Sequence, residues 1–91
     1  MNQRRNHYRI EYPLSERPLC IYNNKKLPVI DISEGGAQIE YSLSPLPRIG
    51  NLIKAKIVFD NRATVDIEAK VTRISGIKVA LIFSKGWIYR L

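Results

Sequence analysis

The chain reads as all-β: a small six-stranded antiparallel β-barrel with a flexible basic N-terminal arm and a short C-terminal tail. Three observations carry this reading. Apolar and polar residues alternate with a period of two in segment after segment, as they do along strands whose successive side chains point to opposite faces. Turn-forming pairs, Asn23-Asn24, Gly35-Gly36, Asp60-Asn61 and Ser75-Gly76, separate those segments. Nowhere does a helical period persist for about ten residues, so six short strands must satisfy one another, most economically by closing into a barrel without edges.

Residues 1–18 hold Arg4, Arg5, Arg9 and Arg17 with Pro13 and Pro18 and show no sustained apolar period, which predicts an arm ahead of a barrel domain over 19–91. Leu19 to Tyr22 is rich in strand formers and ends at the asparagine pair. From Leu27 to Ser33, simple alternation sends Ile30 and Ile32 to the core and Val29, Asp31 and Ser33 to the outer face. Gly35-Gly36 permits the turn, and Ala37 to Tyr41 alternates as the returning strand. Residues 42–51, SLSPLPRIGN, contain two prolines and a glycine and form the longest internal connection.

The pattern then becomes regular. Ile53, Ala55, Ile57 and Phe59 form one face of a strand; Val65, Ile67, Ala69 and Val71 form the matching face of the next, giving a hairpin with one wet side. After Ser75-Gly76, Val79, Leu81 and Phe83 align in the last strand. The tail after Phe83 is too short for its period to distinguish a helical turn from an edge segment.

Composition narrows the class. A 91-residue chain has room for one core, and 45% hydrophobic with 25% charged residues is ordinary for a soluble domain. No apolar run reaches the roughly 18 residues of a spanning helix, and no signal-peptide pattern follows the N-terminus, so a cytoplasmic location is the expectation. With one cysteine, Cys20, and one histidine, His7, neither an internal disulfide nor a structural zinc site is expected. Cys20 reads as a small buried apolar residue.

The net charge of +7 is uneven: residues 1–26 carry six basic and two acidic residues, residues 27–69 four and six, and residues 70–91 five and none. Two basic ends point to an anionic partner. Catalysis is not expected, because no spacing proposes an activated nucleophile or an acid–base pair.

Two constellations remain. Arg4, Arg5 and Arg9 place three guanidinium groups within six residues, a fork geometry suited to phosphate oxygens and to the O6/N7 edge of guanine. Asp31-Ile32-Ser33-Glu34-Gly35-Gly36 offers a carboxylate that can accept from guanine N–H groups, a hydroxyl, and at Gly36 a site where a ligand or another chain segment can approach closely. Taken alone, that hexapeptide also reads as nothing more than a β-turn.

Together, Arg5-Asn6-His7-Tyr8-Arg9 as RxxxR and Asp31 to Gly36 as DxSxxG resemble the PilZ domain, a bacterial receptor module for the second messenger cyclic di-GMP. The resemblance covers most of residues 1–91, from the arginine arm to the final strand at Ala80-Leu81-Ile82-Phe83. It implies a non-catalytic receptor needing no cofactor. Arg5 and Arg9 would clamp the ligand with Arg4 beside them, Asp31, Ser33 and Gly36 would form the barrel half of the site, and ligand-driven ordering of the arm would relay the signal to a partner protein. An arginine at the position of Arg4 further implies two stacked ligand molecules per chain. Two features depart from the family: Ala80 stands where glycine is frequent, and the usual C-terminal helix is cut short, neither touching the ligand motif.

The alternatives are a basic barrel that binds single-stranded nucleic acid and a module used only for protein interaction. Against the first, the five tyrosines are scattered and form no stacking stripe. Intact ligand motifs weigh against the second.

Overall fold

The computed structural model of the protein describes residues 10–84. These form β1 (Ile10–Glu11), a 3-10 turn (Leu14–Glu16), β2 (Leu19–Tyr22), β3 (Lys25–Ile32), β4 (Gly36–Glu40), β5 (Leu52–Val58), β6 (Thr64–Ser75) and β7 (Lys78–Phe83). Six strands make a closed ring in the order β3-β2-β5-β6-β7-β4, with β4 returning to β3, and every pairing is antiparallel. The predicted barrel is the observed one.

The turn residues act by the backbone angles they tolerate. Asn23 and Asn24 both adopt positive φ, 51° and 64°, the geometry of a two-residue type I′ hairpin. At the β5–β6 hairpin Arg62 holds φ 68° and its N–H bonds to the Phe59 carbonyl at 2.8 Å. Gly76, at φ 62°, opens the two-residue link between Ser75 and Lys78.

Alternation fills the core. Ile53 and Ile57 from β5, Val65, Ile67, Ala69 and Val71 from β6, and Val79, Leu81 and Phe83 from β7 are all buried, while their neighbours form the wet face. Cys20 is fully buried among them, and desolvation pushes its thiol up from 9.0 to about 11.

One expectation is reversed. In β3 it is Leu27 and Val29 that are buried, with Ile30 only partly covered. The cause is a β-bulge: Val29 pairs with Ile39, Asp31 with Gln38 and Ile32 with Ala37, so Ile30 has no partner of its own. The extra residue shifts the alternation by one, which puts Val29 inside, keeps Ile32 inside as expected, and sets Asp31 beside the partly exposed Gln38. A second bulge, at Thr72, interrupts β6 where Val71 pairs with Leu81 and Arg73 with Ala80.

The described part of the arm follows the barrel wall. β3 has β2 beside its first half and β1 beside its end, where Ile10 pairs with Ile32 and Glu11 with Asp31. The Tyr12 N–H bonds to the Ile30 carbonyl at 3.1 Å and the Val29 N–H to the Pro18 carbonyl at 2.9 Å, so only residues 13–17 leave the edge of β3. That excursion is fastened by Arg17, whose Nη1 lies 2.8 Å from Oε1 of Glu40 in β4 and whose Nε donates to the Tyr12 carbonyl at 3.5 Å.

Candidate functional site

The DxSxxG segment is the β3–β4 hairpin. Ser33 donates its N–H to the Gly36 carbonyl at 2.8 Å, leaving Glu34 and Gly35 as the two loop residues. The Ser33 hydroxyl accepts from the Gly35 N–H at 3.3 Å and donates to the Gly36 carbonyl at 3.4 Å. Serine thus stabilises the turn that presents it, and the turn and ligand readings of this hexapeptide are compatible.

Gly36 has a structural duty on β7. It pairs with Ile82, and a Cβ at this position would collide with the Leu81 carbonyl oxygen. The neighbouring Gly35 carbonyl accepts from the Phe83 N–H at 2.9 Å. Of the two approaches a glycine here permits, by ligand or by chain, the structure contains the second.

Asp31 stands on the polar side of β3 yet is only 5% exposed. Its Oδ2 accepts a hydrogen bond from Nε2 of Gln38 at 2.9 Å, a contact that exists because the bulge at Ile30 sets these two residues opposite each other. The row continues across the outer wall, since Gln38 pairs with Ala80 and Ala80 with Arg73. Asp31, Ser33 and Gly36 are therefore brought together on one hairpin.

Arg4, Arg5 and Arg9 lie outside the described residues. The first residue after them, Ile10, pairs with Ile32, between Asp31 and Ser33 in sequence. On the opposite wall, Lys54 pairs with Glu68 and Lys56 with Asp66, so that basic surface carries its own counter-charges.

Gln38 and the Arg17–Glu40 pair have no counterpart in the sequence analysis. The first depends on a bulge that composition does not announce, and the second joins residues 23 apart in sequence. Among the described residues no group of three or more His, Cys, Asp or Glu side chains is placed to hold a metal ion. Nor is any helix there long and apolar enough to cross a membrane.

Comparison with known proteins adds two findings. The family profile of the PilZ domain matches residues 3–86. Among solved structures, an uncharacterised protein from Legionella superimposes with a TM-score of 0.69 at 18% identity, covering 86% of this chain and 77% of that one, a likeness of fold. No curated protein sequence matches the chain.

Proposed function

The chain belongs to the PilZ domain family, a family of cyclic di-GMP receptors, and from that membership we propose that it is itself a non-catalytic receptor for cyclic di-GMP. The observation that carries the proposal is the presence of RxxxR at Arg5–Arg9 and DxSxxG at Asp31–Gly36, both inside the matched residues and in the family's order.

In this reading the ligand lies between the arm and the β3–β4 hairpin. Arg5 and Arg9 supply charge-assisted bonds to phosphate oxygens and the guanine edge, and Arg4 adds a third guanidinium. The Asp31 carboxylate accepts from guanine N–H groups, and Ser33 and Gly36 hold the hairpin in shape beside it. Because Asp31 is 5% exposed, a base reaches it only when neighbouring chain moves aside. That requirement links binding to rearrangement, and we assign the relay to the arm: the ligand supplies the anionic charge that Arg4, Arg5 and Arg9 lack among themselves, and the arm it fixes offers a changed surface to a partner protein. A cytoplasmic site of action and two stacked ligand molecules per chain belong to the same proposal.

Isothermal titration of the purified protein with cyclic di-GMP tests it, with GMP and an oligonucleotide as controls. The expected result is selective binding with Kd near 1 μM, worth about 8 kcal/mol, at two ligands per chain. A flat titration at concentrations of about 100 μM refutes the receptor, and one ligand at saturation refutes the stacked pair. Preference for the oligonucleotide would instead support the nucleic-acid alternative.

A further inference from the structure

We propose that Gln38 is a positioning residue of the ligand site, fixing the plane of the Asp31 carboxylate and thereby its selectivity for guanine. The inference rests on the cyclic di-GMP reading above and adds a residue outside both sequence motifs.

A carboxylate on a short side chain has a broad, weakly preferred terminal torsion, so nothing intrinsic to aspartate fixes the direction of its two oxygens. Recognition of guanine by a carboxylate needs that direction, since N1–H and the 2-amino group present two parallel donors to two coplanar oxygens. In this protein Nε2 of Gln38 reaches Oδ2 of Asp31 at 2.9 Å. Each carboxylate oxygen has two lone pairs, and this bond uses one of them.

The pairing is a product of the fold. Were the bulge flattened with every residue kept, regular antiparallel register from Val29–Ile39 would set residue 31 opposite Ala37, which has no side-chain donor. The bulge moves Asp31 opposite Gln38, on the outer side, where their side chains meet. Gln38 is itself partly covered, and it has Ala80 as its partner in β7, a small neighbour that leaves room for the amide. Asp31 is nearly sealed from water, in surroundings where a hydrogen bond to the charged form orients more strongly than it does at an exposed site.

The test is a binding comparison of the parent with Gln38→Met, an isosteric change that removes the donor, and with Gln38→Glu, which sets a second carboxylate against Asp31. Cyclic di-GMP is titrated beside its hypoxanthine analogue, which lacks the 2-amino groups, and circular dichroism checks that each variant is folded. The expected result is a loss of about tenfold for cyclic di-GMP in Gln38→Met, a smaller loss for the analogue, and a larger loss for cyclic di-GMP in Gln38→Glu. In an Asp31→Ala background the Gln38→Met change should add nothing, because the group it orients is gone. Parent-like affinity in both Gln38 variants overturns the inference and leaves the receptor reading standing. Equal losses for both ligands, additive with Asp31→Ala, also overturn it, since that is what general loosening of the strand produces. A parent protein that binds no cyclic di-GMP overturns both readings together.

Discussion

Gly36 and Leu81 approach so closely across the β4–β7 pair that a single added methyl group on Gly36 would run into the Leu81 carbonyl oxygen. The obstacle is backbone, which cannot rotate away as a side-chain end can.

Gly36→Ala is therefore expected to destabilise the free protein by about 1–3 kcal/mol, the usual cost of overpacking. Urea denaturation in the absence of ligand measures it. A variant as stable as the parent would mean that β7 yields and that Gly36 is needed only for the ligand.

The arginines should behave differently from the lysines of the opposite wall. Arg5→Ala or Arg9→Ala is expected to cost about 2 kcal/mol or more of binding, as truncation of one partner in a charged pair does. Lys54→Ala and Lys56→Ala, which already face Glu68 and Asp66, should cost little. Equal losses at all four positions in calorimetric titrations would indicate a diffuse basic surface.

Amide hydrogen exchange tests the relay. Ile10, Glu11 and Tyr12 already lie along β3, with the Tyr12 N–H bonded to the Ile30 carbonyl, so in the free protein the Tyr12 amide should exchange more slowly than an unstructured one. Saturating cyclic di-GMP is expected to slow exchange at residues 4–9. Identical exchange there with and without ligand would remove arm ordering as the mechanism while leaving binding intact.

Cys20 supplies a prediction with a definite sign. Burial raises its thiol from 9.0 to about 11, so the folded chain keeps the proton in a range where the unfolded chain releases it. Its contribution to stability is complete below about pH 9 and is lost as pH rises towards 11, by up to about 1.4 kcal/mol per pH unit. Denaturation of the parent and of Cys20→Ala between pH 8 and about pH 10.5 should show a decline in the parent that the variant lacks. At neutral pH an aromatic disulfide reagent should label Cys20 only after unfolding. Rapid labelling of the native protein contradicts the buried thiol.

The barrel was legible because one face of nearly every strand is wet. Along β5, β7 and β6 as far as Val71 the alternation is unbroken and inward residues can be read directly, and Asn23-Asn24 and Gly76 mark the β2–β3 and β6–β7 turns by adopting positive φ. Alternation misplaced Val29 and Ile30 because a bulged isoleucine looks like any strand isoleucine. β1 escaped notice for another reason: two residues have no period, and what makes them a strand is the edge of β3. The hairpin half of the site was legible as a motif, but the duty of Gly36 towards Leu81 and the bond from Gln38 to Asp31 are tertiary facts.

The bulge at Ile30 also bears on how this strand can change length. Inward positions are odd-numbered before it, at Leu27 and Val29, and even-numbered after it, at Ile32. Deleting Ile30 would merge the two phases and still send Asp31 outward, because the position after an inward Val29 is outward in any regular strand. Keeping every residue but flattening the bulge would turn Asp31 inward among the aliphatic side chains, burying its charge without partners. Tolerance at this point is thus asymmetric. Loss of one residue preserves the polarity of the hairpin, whereas a substitution that merely favours smooth pairing endangers it, so residue count across Val29–Asp31 is as much a part of the site as the identity of its side chains.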